Sequence, residues 1–170
     1  LAGSLEQGSE HPLAEAILAE ARRRELPLST AADFDSITGQ GVRGRIDGRD
    51  VALGNQALMA PIGADIAAVR SSAEHLRAQG ASVMHLAVDA KLAGLLAVSD
   101  PIKATTADAL ASLRAAGLRV VMATGDGLTT ARAVGQRLGI AEVHGEVKPA
   151  DKLKLVEKLQ AEGRRVAMAG

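Results

Sequence analysis

The hydrophobic pattern of the chain changes near residues 98–101, and this change is the strongest constraint on its fold. Before it, short segments of alternating apolar and polar residues come in pairs joined by turn residues such as Asp47-Gly48. Paired segments of this kind are typical of antiparallel β-hairpins. After it, continuous apolar segments alternate with amphipathic segments of about ten residues, as in the βαβ units of a parallel sheet. The sequence therefore predicts an α/β protein with two domains.

The first predicted domain covers residues 1–97 and belongs to the α+β class, with an antiparallel sheet and flanking helices. Its predicted elements are a helix over 10–24 capped by Ser9, strands over 34–37, 42–47 and 50–53, a helix over 64–79, and a hairpin of 83–88 with 92–98. The second predicted domain covers residues 98–170 and has a parallel sheet. Its predicted elements are helices over 103–116, 128–138 and 151–162, and strands over 118–123, near Val143 and over 165–168.

Composition excludes several classes of function. Lys plus Arg and Asp plus Glu both number 20, so the zero net charge gives no electrostatic footprint for nucleic acid. The chain has no Cys, Trp or Tyr, and Phe34 is its single aromatic residue, which excludes cysteine catalysis and a base-stacking surface. The longest apolar runs, such as 92–98, have the length of a strand. Because His75, His85 and His144 have no carboxylate or second His at ligand spacing, we predict no metal site.

Two motifs after residue 101 are candidates for phosphoryl binding. Thr124-Gly125-Asp126 and Lys148-Pro149 each follow a predicted strand and precede a predicted helix, the edge at which open parallel sheets bind ligands. A Thr hydroxyl, the free N–H groups of a helix start and a Lys charge all suit a phosphoryl group. The alternative is structural: a turn in which Asp126 caps the helix, and a surface Lys148 before a helix-starting Pro.

Three groups in the first domain are candidate ligand contacts. In Ser9-Glu10-His11-Pro12-Leu13, His11 offers a flat polar group to an adenine ring, and Glu10 offers an acceptor to its exocyclic amine. Gly39 and Gly41 form a loop whose backbone can approach a ligand closely. Asn55, after the next strand, has the chemistry to touch a ligand or to hold the loop. Helix capping, hairpin entry and loop structure explain the same residues without a ligand.

Taken together and in this order, the motifs resemble the ATP-handling region of heavy-metal-transporting P-type ATPases, with bacterial copper exporters the nearest. The resemblance covers essentially the whole chain. The Ser-Glu-His-Pro-Leu segment with the glycine pair is specific to the heavy-metal branch, whereas Thr-Gly-Asp is shared by P-type ATPases in general. The motifs that carry the resemblance are Ser9-Glu10-His11-Pro12-Leu13, Gly39-x-Gly41, Gly54-Asn55, Asp100-Pro101-x-Lys103, Thr124-Gly125-Asp126, Lys148-Pro149 and Met168-Ala169-Gly170.

The resemblance implies roles for the candidate residues. Residues 1–97 resemble a nucleotide-binding domain, whose matching ATP contacts are Glu10, His11, Gly39, Gly41 and Asn55. Residues 98–170 resemble part of a phosphorylation domain of the haloacid-dehalogenase-like α/β fold. There Thr124 and Lys148 match the residues that hold the phosphoryl group, and Asp126 matches the carboxylate of the Thr-Gly-Asp loop.

The resemblance also implies cofactors, partners and location. ATP is the expected nucleotide and Mg²⁺ a cofactor of the intact protein. The expected partners are the rest of the same pump, namely its membrane helices and actuator domain, while the exported metal ion binds outside this chain. The expected location is the cytosolic side of a bacterial inner membrane.

Two family motifs are absent from the chain, and two other functions are open. The family's phosphorylated Asp lies in an Asp-Lys-Thr-Gly-Thr motif upstream of Ser9, and its magnesium carboxylates lie in a motif that is cut at Gly170. Without that nucleophile, we expect the chain alone not to hydrolyse ATP. The alternatives are a soluble haloacid-dehalogenase-type phosphatase with residues 1–97 as a cap, and a non-catalytic nucleotide-binding module.

Overall fold

A computed structural model describes residues 1–99 and 102–169. The Asp100-Pro101 pair and Gly170, which belong to motifs quoted above, lie outside the described residues. The chain divides into two compact units. The first contains Leu1–Leu76 and residues 81–99, and the second contains Arg77–Gly80 and residues 102–169.

The first unit is built on a five-stranded antiparallel sheet in the order β1-β2-β3-β4-β5. Each strand pairs with its neighbour in sequence, as expected for successive hairpins. Its elements are α1 (Ala2–Glu6), α2 (Pro12–Arg23), β1 (Ala32–Ile37), β2 (Gly41–Ile46), β3 (Arg49–Gly54), α3 (Gln56–Met59), a 3₁₀ turn (Ala67–Val69), α4 (Arg70–Ala78), β4 (Ser82–Val88) and β5 (Lys91–Val98).

Apolar clusters lie on both faces of this sheet, because successive residues of a strand point to opposite faces: Val51 and Leu53 of β3 belong to one cluster, and Ala52 between them belongs to the other. On β2, Val42 and Ile46 are buried in the first cluster, while Arg43 and Arg45 between them are exposed. The cluster beside α1 and α2 contains Leu5, Ile17, Val42, Ile46, Val51, Leu53 and Val88. The cluster beside α3 and the following turn contains Ala52, Leu58, Met59, Ala64, Ile66 and Ala87.

The second unit has a parallel pair of strands with helices. Its elements are α5 (Thr106–Ala115), β6 (Val121–Ala123), α6 (Leu128–Arg137), β7 (Glu142–His144) and α7 (Pro149–Ala161). Helix α6 packs tightly on β7, since a Cβ built on Gly135 would lie 2.4 Å from Cγ2 of Val143. The parallel β6–β7 pair and its crossover helix form the βαβ unit that the sequence predicts.

Several predicted elements are wrong in extent. Helix α2 begins at Pro12 and its cap is His11, whereas Ser9 had been predicted. The predicted strand over 165–168 is not formed, because residues 164–169 belong to neither helix nor strand. The helix predicted over 64–79 is split into the 3₁₀ turn and α4. The short helices α1 and α3 were missed, because four or five residues are too few to show helical periodicity.

Candidate functional site

The loop between α1 and α2 presents the first group of candidate residues. The Ser9 hydroxyl oxygen accepts a hydrogen bond from the His11 backbone N–H at 3.2 Å. His11 Nδ1 in turn accepts from the Leu13 backbone N–H at 3.2 Å, so the imidazole caps α2. In the neutral ring the proton must then reside on Nε2. The His11 side chain is exposed, which makes this Nε2–H a donor available to a ligand.

A cavity of about 290 Å³ lies directly at this loop. Its volume is at the lower end of the range of about 300–1,000 Å³ for small-molecule pockets, and it has room for a base. The predicted residues Glu10 and His11 therefore share one cavity, and the predicted residues Gly39, Gly41 and Asn55 do not line it. The lining residues are Ser9, Glu10, His11, Pro12, Ala14, Glu15, Leu18 and Arg22.

Glu6 is a candidate that the sequence did not reveal. The side chain ends α1 beside the loop and is only 4% exposed. Burial raises the pKa of the Glu6 carboxyl, while a hydrogen bond with Ser9 and the charge of His11 lower it. Its Oε2 is buried without a hydrogen-bond partner among the described residues. A buried acceptor of this kind is costly unless something binds it, and only the missed helix α1 could have revealed it.

Asn55 ties the glycine loop to the start of α3. Its Nδ2 donates to the Gly39 carbonyl at 2.8 Å, and its Oδ1 accepts from the Ala57 N–H at 2.9 Å. Its own backbone N–H donates to the Gln40 carbonyl at 2.8 Å. Asn55 is therefore a cap and a loop anchor, which is the structural alternative of the sequence analysis.

The glycines at the start of β2 and at the end of β3, Gly41 and Gly54, permit a close approach of the two strands. A Cβ on Gly41 would lie 2.3 Å from the Leu53 carbonyl oxygen, and one on Gly54 would lie 2.2 Å from that of Gln40. Gly41 also has φ +142°, which L side chains rarely adopt. Strand geometry thus requires both glycines, and the loop that begins at Gly39 (φ +74°) is fixed beside Asn55.

Thr124 lies at the carboxyl end of β6, where the parallel strands meet the loops. Its hydroxyl donates to Oδ2 of Asp126 at 2.8 Å, and its Oγ1 accepts from the Asp126 N–H at 3.1 Å. Its backbone binds both neighbours, since Thr124 N–H donates to the His144 carbonyl and Val147 N–H donates to the Thr124 carbonyl, each at 2.9 Å. The predicted pair Thr124 and Asp126 is therefore joined in one turn.

Lys148 follows this turn as the N-cap residue of α7, and its side chain is exposed. A second lysine was missed by the sequence analysis. Lys152 lies in the first turn of the same helix and is half-buried. Its backbone N–H donates to the Lys148 carbonyl at 3.0 Å. Two lysines, and not one, are thus candidates for the positive charge that would bind a phosphoryl group.

His144 has an acidic neighbour, contrary to the prediction that no carboxylate lies at ligand spacing from it. Its Nε2 lies 3.2 Å from Oε1 of Glu142, two residues before it on β7. Arg119 also pairs with Glu142, and hydrogen bonds from Arg119 and then His144 lower the pKa of this carboxyl. Among the described residues, no group of three or more His, Asp or Glu could hold a metal ion.

A cavity of about 470 Å³ on the sheet of the first unit involves none of the predicted residues. Both of its arginines are already paired, since Arg43 binds Asp35 at 2.8 Å and Arg45 binds Asp50 at 3.4 Å. Such exposed pairs are screened by water and offer little to a charged ligand. We therefore centre the candidate site of this unit on the loop between α1 and α2.

Residues 1–170 match the family model of haloacid dehalogenase-like hydrolases, and the chain belongs to that family. It is similar to the Copper-transporting P-type ATPase of Rhizobium leguminosarum bv. viciae, with 50% identity over 100% of this chain and 20% of that protein. It is 46% identical to the Copper-exporting P-type ATPase of Legionella pneumophila subsp. pneumophila, over 100% of this chain and 23% of that protein. The chain thus spans about a fifth of the length of these curated relatives.

Solved structures agree with these relatives. A zinc-transporting PIB-type ATPase in the E2.Pi state has a TM-score of 0.62 and 30% identity, over 95% of this chain and 26% of that chain. The catalytic domain of the CPx-ATPase CopB-B has a TM-score of 0.68 over 99% of this chain and 58% of that chain, and its 24% identity supports the fold alone. The predicted resemblance to heavy-metal P-type ATPases and the predicted mixed α/β fold are confirmed.

Proposed function

We propose that this chain is the ATP-handling part of a P-type ATPase that exports a heavy-metal ion such as copper. The observation that carries the proposal is the whole-length similarity to copper-transporting P-type ATPases at up to 50% identity. It includes the segment Ser9-Glu10-His11-Pro12-Leu13, for which a soluble phosphatase with residues 1–97 as a cap has no need. In the complete protein the partners are the membrane helices and the actuator domain, and the chain lies on the cytosolic side of a bacterial inner membrane. None of the helices among the described residues is long and apolar enough to cross a bilayer.

In this proposal the first unit recognises the adenine base at the loop between α1 and α2. Adenine carries an exocyclic amine, which is a donor, and ring nitrogens, which are acceptors. The His11 Nε2–H suits a ring nitrogen, and a carboxylate suits the amine. Two carboxylates are available: Glu10, which is exposed and lines the cavity, and Glu6, which is buried with an unsatisfied oxygen. A guanine would place its own oxygen against that carboxylate, so the site favours adenine.

Gly39, Gly41 and Asn55 then form the backbone surface for the rest of the nucleotide. The Asn55 side-chain oxygen accepts a hydrogen bond at the start of α3, and one of its amide hydrogens is donated to the Gly39 carbonyl. Its second amide hydrogen is the group that it retains for a ligand. We assign it chiefly to holding the loop in place.

The second unit in this proposal stabilises charge on the transferred phosphoryl group. The Thr124 hydroxyl is bonded to Asp126, so it contacts a phosphoryl oxygen by rotating its proton away from that carboxylate. Lys148 or Lys152 supplies a positive charge, which is worth most where water is partly excluded. Among the described residues no three His, Asp or Glu side chains form a metal-binding group, and we assign no step to Mg²⁺.

Titration of this chain with ATP, followed by amide NMR shifts, tests the nucleotide site. We expect weak binding that does not require Mg²⁺, with shifts at residues 6–11 and 39–44. Glu6→Gln and Glu10→Gln, titrated with ATP and GTP, then identify the carboxylate that reads the base. Shifts confined to 124–127 would contradict adenine recognition by the first unit and favour a phosphatase.

The roles of Lys148 and Lys152 are distinguished in the complete protein by measuring how much phosphorylated enzyme forms from ATP. Loss of a charged hydrogen bond costs about 1.5–3 kcal/mol. We expect Lys152→Ala to reduce phosphorylation more than Lys148→Ala, because the half-buried charge is less screened. The opposite order would assign the charge to Lys148, and normal phosphorylation in both variants would exclude α7 from the site.

A further inference from the structure

We propose that Phe34 positions the adenine-recognition loop, residues 7–11, through a direct contact with Gly8. The inference deepens the proposed function and rests on it for the ligand. Phe34, the single aromatic residue, is not among the site residues predicted from the sequence. The contact itself is independent of any ligand.

Gly8 lies so close to the Phe34 ring that a side chain at this position would press against the ring. A Cβ built on Gly8 would be 3.1 Å from Cδ2, 3.1 Å from Cγ and 3.2 Å from Cδ1 of Phe34. Such distances are tighter than nine in ten real Cβ contacts, so the ring or the loop would have to move by a few tenths of an ångström. Gly8 does not have a left-handed backbone, so conformational freedom does not explain this glycine. The requirement comes from the ring.

The position of Phe34 is set by the sheet that carries it. The β1–β2 register shifts between Ala32 and Asp35, which is a β-bulge, and Asp33 within it has φ +52°. On β2, Gly44 leaves space that a Cβ would fill, 3.1 Å from Cδ1 of Leu5 and 3.4 Å from Cα of Phe34. Phe34 packs against the same core cluster as Leu5. Its backbone position is therefore set by the strands.

The position of the loop depends on Phe34 because the two ends of the loop belong to different helices. Leu5 at one end is fully buried, and Ala14 at the other is 2% exposed. Between them, the hydrogen bonds of Ser9 and His11 join the loop to the end of α1 and the start of α2, since the Ser9 N–H donates to the Glu6 carbonyl at 3.1 Å, and none of these bonds reaches the sheet. The contact with Phe34 fixes the middle of the loop to the sheet. Moving the backbone at Gly8 thus shifts Ser9 and His11 relative to Glu6, which is buried at the end of α1.

A rescue experiment tests the inference. Gly8→Ala adds the Cβ, Phe34→Ala removes the ring atoms that it meets, and the double variant combines both. Gly94→Ala is the control, because nothing lies within 4 Å of its added Cβ. We expect Gly8→Ala to weaken ATP binding by about tenfold, the equivalent of about 1.4 kcal/mol. In the Phe34→Ala background the same change should cost less than about twofold.

Ligand-free spectra separate this inference from the proposed function. Gly8→Ala should shift the Ser9 and His11 amide signals, and the shifts caused by Gly8→Ala should be much smaller in the Phe34→Ala background. Dispersed signals from β3 and β4 verify that each variant is folded, and a Phe34→Val background replaces Phe34→Ala if the latter unfolds. Unchanged Ser9 and His11 signals in Gly8→Ala, or equal shifts in both backgrounds, would overturn the positioning role. Absence of ATP binding by the unsubstituted chain would instead overturn the proposed function.

Discussion

His11 uses one ring nitrogen for the fold and presents the other to solvent. Because Nδ1 caps α2, replacing His11 with Ala changes both the helix and the cavity. Asn is among the best N-cap residues, so His11→Asn retains the cap and removes only the imidazole Nε2–H. The pair of variants therefore separates structural from ligand-binding effects.

We predict that both variants weaken ATP binding and that only Ala lowers stability. Loss of the ring contact should cost about 1–3 kcal/mol, or about 5–150-fold in affinity. Loss of the cap in His11→Ala should lower the free energy of unfolding by about 0.5–2 kcal/mol. Calorimetric titration and thermal melting measure the two effects. His75→Ala is the control, and equal ATP affinity in all three variants would leave His11 as a cap alone.

Glu6 makes stability depend on pH in a direction opposite to that of most carboxylates. Its pKa is raised in the folded state, so the folded chain binds more protons than the unfolded chain between the ordinary pKa and the raised one. The stability that it contributes is fully present below its ordinary pKa and is lost as pH rises through the folded pKa. We predict that Glu6→Gln raises the melting temperature relative to the original chain at pH 7.5 and that this advantage disappears at pH 4. A difference that does not change with pH would show that ionisation of Glu6 is not responsible.

At the scale of elements, α6 packs on β7 with no room for a side chain at Gly135. Ala is ordinarily favoured over Gly inside a helix by about 1 kcal/mol. At Gly135 the added Cβ would meet a β-branched side chain at 2.4 Å, and Val143 has little rotamer freedom with which to move. We predict that Gly135→Ala destabilises the second unit by about 1–3 kcal/mol despite its better helix propensity.

Denaturation of this variant can be followed through the NMR signals of β6 and β7. Gly127→Ala is the matched control, since the space beside Gly127 is open within 4 Å. A stability increase in Gly135→Ala would mean that β7 moves readily away from α6.

At the scale of the whole molecule, the two units differ in how their strands are supported. The first has five paired strands with apolar clusters on both faces. Among the described residues, the second has one pair of strands of three residues each, and its exposed apolar side chains include Leu118, Leu153 and Met168. Parallel sheets are stable when both faces and both edges are covered.

We therefore predict faster hydrogen exchange at 121–123 and 142–144 than at 42–54 and 82–88. Exchange rates follow the free energy of local opening, so the two units should give separate protection levels. Mass spectrometry of exchanged peptides measures this, and the loops of each unit serve as internal references. Uniform protection across both units would show that the second is as stable as the first.

Much of the fold was predictable because its signals are local. The hairpin at Asp47-Gly48 and the helices near Leu128 and Pro149 depend on a few neighbouring residues, and all of them are present. The strand predicted over 165–168 failed because a strand needs a paired neighbour, which an apolar run cannot supply by itself. Among the site residues, Thr124 and Asp126 were predicted together and lie together, because they share one turn.

The sequence by itself determined the family and the mixed α/β class, because motifs and hydrophobic periodicity depend on spacing along the chain. The domain bounds and the roles of the candidate residues stay predictions. Only the tertiary structure decided which atoms of those residues are available. It bonds His11 Nδ1 and both polar atoms of Asn55 to the backbone, and it buries Glu6 with one unsatisfied oxygen. It also places Gly8 on Phe34, 26 positions away. Burial and hydrogen-bond satisfaction arise from contacts between distant segments, and no local pattern specifies them.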